Sequence, residues 1–155
     1  MLRNALFDRQ QRSRIEVAQP RSKINLTAGY SVGKFNVQVR AVRFGSVQYV
    51  HNVDPAVNTA VNPATDQTFR AKWVTDLTFG FKFNKFFSLS VGANNIFNVY
   101  PDKIFVDPRN LPSSTEYLTG YNASRDASNR GRFLYNANQF GYNGAFYFVR
   151  GVFTM

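Results

Sequence analysis

The chain has 155 residues, 44% of them hydrophobic, with 16 Phe, 8 Tyr, no Cys and a formal charge of +10. The lack of Cys excludes disulfides and thiolate metal sites. No apolar run nears the roughly 20 residues of a membrane-crossing helix, a test that leaves membrane β-strands of about 9–11 alternating residues untouched. The charge admits nucleic acid, anionic lipid or an anionic ligand as partners without choosing among them.

The first residues, Met1–Arg14, are polar and charged and form no secretory signal. If the protein is exported, its signal is expected upstream, and the chain is then part of a longer one. Aromatic enrichment with frequent Gly and Asn predicts β structure, with no long helical pattern.

The first strand is predicted over Lys23–Ser31, where Ile24, Leu26, Ala28 and Tyr30 share one face and Lys23, Asn25, Thr27, Gly29 and Ser31 the other. The second, Lys34–Ala41, sets Phe35, Val37, Val39 and Ala41 against Lys34, Asn36, Gln38 and Arg40. In the third, Phe69–Phe83, Trp73, Leu77, Phe79, Phe81 and Phe83 oppose Arg70, Lys72, Asp76, Thr78 and Lys82. The fourth, Phe87–Phe97, sets Phe87, Leu89, Val91 and Ala93 against Ser88, Ser90, Gly92 and Asn94. The last, Ala145–Met155, places Tyr147, Val149 and Phe153 on one face and Phe146 and Phe148 on the other.

The predicted connections alternate in length. Tight turns at Val32-Gly33 and at Asn84–Phe86 join the first and third pairs, while long loops over Asn52–Thr68 and Asn98–Gln139 lie between the others. Compact soluble domains seldom hold a structureless loop of some 40 residues, whereas outer-membrane barrels pair short turns on one side with long loops on the other. A turn at Val32-Gly33 would pair Tyr30 with Phe35, Ala28 with Val37 and Leu26 with Val39. A turn at Asn84–Phe86 would pair Phe83 with Phe87, Phe81 with Leu89, Phe79 with Val91 and Leu77 with Ala93. Both registers keep each face pure and place aromatics next to the short turn, with Trp73 and Phe97 near the other end of the stripe, as in the aromatic girdles of a barrel. The expected architecture is therefore an all-β antiparallel transmembrane barrel fragment, with Trp73, Leu77, Phe79, Phe81, Leu89 and Val91 facing lipid.

No enzyme constellation is evident, and none is expected. His51 is the sole His, so a His relay or a two-His metal site would need another chain. The carboxylates are scattered; Asp76, near Lys72 and Arg70, reads as a structural ion pair. No cofactor or metal is implied. In the long loop, Arg125, Arg130 and Arg132 stand beside Tyr121, Phe133 and Tyr135. Such a set holds an anionic ligand at a barrel mouth, or is a solvated loop meeting lipopolysaccharide. A soluble basic β-domain that stacks single-stranded nucleic acid is the rival from another class, but it needs aromatics and cations interleaved on one face, and in Phe69–Phe83 they separate. A non-transporting structural barrel also satisfies the strand pattern.

Ser90–Lys103 (SVGANNIFNVYPDK) resembles the late-strand signature of TonB-dependent outer-membrane receptors, a Val-Gly-x-Asn-Asn-(Leu/Ile)-Phe-(Asp/Asn) strand end followed by Tyr-Pro. The matching residues are Val91, Gly92, Asn94, Asn95, Ile96, Phe97, Asn98, Tyr100 and Pro101. Phe69–Phe83 resembles the preceding strand of that family, Phe7–Leu26 an outer loop entering a strand, and the last twelve residues the closing strand. The resemblance implies about the last five strands of a 22-stranded, plugged barrel, with the N-terminal plug and most of the barrel absent. It implies active transport of a scarce ligand, such as a ferric siderophore, across the bacterial outer membrane. Implied partners are membrane lipid and lipopolysaccharide, the barrel assembly machinery, and the rest of the receptor and through it TonB, with no nucleic acid. It also implies a C-terminal assembly signal carried by Tyr147, Val149 and Phe153, although Gly151 and Met155 depart from the alternating, aromatic-ended pattern. The long loops would then be extracellular and the short turns periplasmic.

Overall fold

The computed structural model describes residues 9–50, 66–106, 111, 113–114, 128, 132 and 139–154. These form one helix, α1 (Arg9–Glu16), and seven strands: β1 (Lys23–Val32), β2 (Phe35–Phe44), β3 (Val47–Tyr49), β4 (Gln67–Phe69), β5 (Lys72–Lys82), β6 (Phe87–Asn94) and β7 (Phe146–Phe153). The chain divides into two compact units, one of residues 22–44, 71–100 and 141–155 and the other of 1–21, 45–70 and 101–140.

The first unit is a five-stranded antiparallel sheet in the order β1-β2-β5-β6-β7. Its short turns, after β1 and β5, lie at one end, and the long connections after β2 and β6 leave from the other. Side chains alternate across a strand, so the pairing assigns the faces. Tyr30, Val37, Phe79, Val91 and Val149 align in one row across all five strands, flanked by Ala28-Val39-Leu77-Ala93-Tyr147 and Val32-Phe35-Phe81-Leu89-Gly151. The opposite face carries Ser31-Asn36-Gly80-Ser90-Arg150 and Gly29-Gln38-Thr78-Gly92-Phe148. The sheet is apolar on one side and polar on the other, except at β7 and at the long-connection end, where Val42, Phe44 and Val74 fall on the polar side and Arg43 and Thr75 on the apolar one.

The β5–β6 register agrees with the pairing expected from the sequence, from Phe81 with Leu89 to Leu77 with Ala93. Asn84 fixes its three-residue loop by accepting the amides of Phe86 and Phe87 on Oδ1, at 2.9 and 2.8 Å. The β1–β2 register differs from expectation by two residues: Tyr30 faces Val37, and Val32 faces Phe35. The turn is Gly33-Lys34, not Val32-Gly33, because Gly33 has φ +57 while Lys34 is not among the positive-φ residues. That is the pattern of a hairpin turn with glycine at its first central position. A two-residue slip leaves each side chain on its face, so the alternation is unchanged.

Other differences have local causes. The third predicted strand is two: Phe69 belongs to β4, and β5 begins at Lys72. The second strand runs on to Phe44, and the fourth stops at Asn94, not Phe97. The last covers Phe146–Phe153. Arg9–Glu16, expected as loop, is helical, since Arg, Gln and Glu lose little rotamer freedom in a helix. It ends where Val17 and Ala18 both donate to Ser13 O at 2.9 Å, with Pro20 just beyond.

In the second unit β3 pairs with β4. Phe69, Val47 and Ile104 are buried together, with Tyr49 packed against them. Arg9 makes a two-pronged ion pair with Asp66, and Gln10 donates to Tyr49 Oη at 3.0 Å. Replacing Gly33 by Val is expected to destabilise the β1–β2 hairpin by about 1–2 kcal/mol, since a side chain at positive φ clashes with backbone. Gly33→Asn should cost less. Amide exchange across β1 and β2 reads the difference.

Candidate functional site

The feature that sets the sheet apart is its apolar face. Among the described residues of this unit, only Val42 and Ala93 are buried hydrophobics. Tyr30 (69% exposed), Val149 (72%) and Phe153 (78%) lie open, and Leu26, Phe35, Trp73, Phe79 and Val91 are exposed too. A soluble fold buries such a surface, and contiguous exposed apolar patches mark contact with protein or membrane. Of the six residues expected to face lipid, all lie on this face by register; Trp73, Phe79 and Val91 are exposed, and Leu77, Phe81 and Leu89 half-buried. Leu77, Phe79, Val91, Ala93, Ile96 and Tyr147 border an open apolar hollow of about 460 Å³.

From Phe79 in the middle row, the rings join toward the short-turn end. Phe79, Phe35, Phe81, Phe83, Phe87 and Phe153 form a chain of neighbours with centroids 4.6–5.8 Å apart, running over β2, β5, β6 and β7. Phe83-Phe87 and Phe87-Phe153 are stacked, and Phe81-Phe83 is edge-on. Such pairs contribute about 0.5–1.5 kcal/mol each beyond area burial, so the row stiffens the end of the sheet where two hairpins meet. Phe153, expected in a terminal assembly signal, is its last member. Tyr147 and Val149 follow on the same face, whereas Met155 lies outside the described residues.

The Asn-Asn-Ile-Phe-Asn element that carries the resemblance is a built turn. Asn95 and Asn98 adopt φ of 53° and 54°, the left-handed region that Asn tolerates better than most residues. Asn95 is buried. Its amide donates to Val99 O at 2.7 Å, and its Oδ1 accepts Val99 N at 2.8 Å. Asn98 N donates to Asn95 O, and Asn98 Oδ1 accepts Ala145 N. The strand therefore ends at Asn94 because the next residue reverses the chain. Ile96 N still reaches Thr75 O on β5 at 2.8 Å. Phe97 is 71% exposed at the end of the turn; Tyr100 is half-buried and Pro101 buried.

Asp76 holds this turn from the polar face. Its Oδ1 accepts Asn95 N at 2.9 Å, and its Oδ2 meets Arg40 Nε at 3.2 Å. The expected partners Lys72 and Arg70 are corrected: β2 lies beside β5, so Arg40 stands directly across from Asp76. Arg70 is bound instead to Asp102 through its side chain and its backbone amide. The hydrogen bonds that the Arg70 guanidinium donates to Asp102, and then the carboxylate's charge, hold its pKa above the ordinary value.

On β7 the polar face changes character. Phe148 lies over Gly92, where an added Cβ would stand 2.5 Å from the ring's Cζ and 2.9 Å from Leu77 O. Gly92 in the sequence motif is thus the space a neighbouring ring occupies, a role the sequence pattern did not reveal. Of the expected ligand-loop residues, Arg132 is exposed, and Tyr121, Arg125 and Arg130, like His51, lie outside the described residues. Among the described residues no group of three or more His, Cys, Asp or Glu is placed to hold a metal ion, and no helix is long and apolar enough to cross a membrane.

Comparison with protein-family models, with curated proteins and with solved structures finds no match. Asn95→Ala is expected to cost about 2–4 kcal/mol, combining part-buried Val99 N–H and C=O groups left unpaired with a left-handed backbone that Ala disfavours. Asn95→Gly should recover the backbone part alone. Urea unfolding of the chain in detergent measures both.

Proposed function

We propose that the chain supplies strands and loops to an outer-membrane β-barrel of the TonB-dependent transporter kind, and takes part in uptake of a scarce ligand such as a ferric siderophore. The observation that carries this reading is the exposed apolar face, in register over five strands and closed at the short-turn end by a row of aromatic rings. Lipid satisfies such a face: it solvates the aliphatic middle, and the rings suit the boundary with the headgroups. The polar face then lines the lumen, the short turns sit on the periplasmic side, and the long connections reach outward.

The same reading accounts for the sheet's edges. Among the described residues no strand pairs with the outer edge of β1 or of β7. Backbone groups in a bilayer need internal partners, so membrane sheets close on themselves. Bacterial single-chain barrels have an even strand number of at least eight. Five strands therefore belong to a larger barrel, with the remaining strands and a plug supplied by further sequence. Lipid, lipopolysaccharide, the assembly machinery and, through the rest of the receptor, TonB are the partners of this proposal. The Ser90–Lys103 motif supports the transporter over a purely structural barrel. The substrate role of the outer loops rests on that likeness.

Arg in place of Phe79 is expected to cost about 2–4 kcal/mol, because a lipid-facing charge near mid-bilayer is desolvated. Arg at Thr78, on the opposite face, should be tolerated. Single Cys variants reacted with a lipid-phase label test the faces directly: labelling at Val91 and not at Ser90 is expected, and the reverse overturns the assignment. Expressed alone in water, the chain should aggregate through its open face. A monodisperse, cooperatively unfolding monomer would instead establish a soluble β-domain.

A further inference from the structure

The sheet unit is unbalanced in charge. Its residues 22–44, 71–100 and 141–155 contain Lys23, Lys34, Arg40, Arg43, Lys72, Lys82, Lys85 and Arg150 but a single acidic side chain, Asp76. That carboxylate is committed to Arg40 and to the Asn95 amide. Eight cations less one anion leaves +7 on this unit, and three of the cations, Lys34, Lys82 and Lys85, belong to the short-turn end. Lys34 Nζ is anchored there on Phe83 O at 3.0 Å.

Beside the β5–β6 turn lies a hollow of about 260 Å³ bordered by Lys82, Asn84, Lys85, Ser88 and Thr154, with Phe86, Phe87 and Val152 completing its lining. None of these residues is acidic. Asn84 has its carbonyl oxygen occupied by the amides of Phe86 and Phe87, which leaves its Nδ2 as the donor end of the side chain. Lys85 Nζ rests 4.8 Å from the centre of the Phe86 ring. The backbone is held on the other side, where Thr154 N donates to Phe86 O at 2.9 Å. The hollow is therefore lined by two lysines, an asparagine, a serine and a threonine, beside a hairpin fixed by stacked rings. Cationic and hydroxyl donors without a competing carboxylate match the oxygens of a compact anion.

We propose that this hollow binds a phosphate group, either that of an anionic phospholipid at the membrane boundary or that of a free phosphate in the aqueous space beside the turn. Lys82, Ser88 and Val152 give the hollow to the polar side of the sheet, so a phospholipid headgroup reaches it only around the turn, past the exposed Phe86. The site goes beyond the transporter reading and does not require it.

The test titrates the full chain in dodecyl maltoside with inorganic phosphate, and separately with phosphatidylglycerol in mixed micelles, following the Phe86, Phe87 and Ser88 amide resonances. Saturable shifts at these amides are expected. The Lys82→Gln/Lys85→Gln double variant should weaken binding about tenfold or more, since both charge-assisted contacts are lost. Lys82→Arg/Lys85→Arg, which keeps the charge, should retain binding and separates loss of charge from loss of fold. Lys103→Gln, an exposed cation of the other unit, should change nothing. Saturation by phosphatidylglycerol alone assigns the site to a lipid headgroup, by inorganic phosphate alone to a free anion, and by both to the phosphate group as such. Absence of saturable shifts with either, or equal affinity in the wild type and the double Gln variant, overturns the proposal. If the chain proves soluble, the inorganic-phosphate titration is run without detergent, so that outcome refutes the membrane reading and leaves this test standing.

Discussion

Strand β5 is paired on both sides, with β2 from Phe81 back to Lys72 and with β6 from Lys82 back to Leu77, and the parity of those two pairings positions most of what matters in the sheet. Shifting either by one residue would turn Phe79 or Val91 toward Thr78's face and scatter charge over the apolar one. Side chains from both faces lock the register. On one, Phe35 packs against Phe79 and Phe81; on the other, Arg40 reaches Asp76. The apolar contact alone tolerates a slip of two, whereas the ion pair and the Asn95 amide select a single alignment. The salt bridge is partly exposed, so its energy is small; its larger effect is to specify.

Alternation in the sequence was enough to identify strands and faces, because a residue's parity survives most errors in placing a turn. The β5–β6 hairpin was legible to the residue: Phe83 and Phe87 flank a three-residue loop whose Asn84 bonds the backbone. The β1–β2 hairpin was not, since Val32-Gly33 and Gly33-Lys34 give equally pure faces and only the sign of φ at Gly33 separates them. Helix α1 has eight residues, seven polar or charged and one apolar, Ile15, and so carries no periodic signal. Strands β3 and β4 have three residues each, too short for any period to register.

The motif residues were visible, but their mechanics were not. Asn95 and Asn98 are the residues most at ease at positive φ, yet nothing local predicts that Asn95 clasps Val99 through both ends of its amide. Arg40 and Asp76 are far apart in sequence, and their meeting depends on β2 lying beside β5 although two strands intervene in the chain. Gly92 had a place in a pattern; the ring of Phe148 gives that place a physical cause. The clustering of cations about a lone carboxylate is likewise invisible until the fold decides which lysines share a unit.

The two outer strands set a thermodynamic condition on any entry of such a sheet into a bilayer. β1 has ten residues and β7 eight, and an antiparallel edge points alternate amides and carbonyls outward. That leaves about nine N–H and nine C=O groups facing away from the sheet, each costing several kcal/mol if carried unpaired into hydrocarbon. The sum is on the order of tens of kcal/mol, comparable to the gain from dissolving the aromatic and aliphatic face in lipid. Under the proposed membrane reading, partition into lipid and pairing of the edges would therefore be one coupled transition, neither favourable without the other.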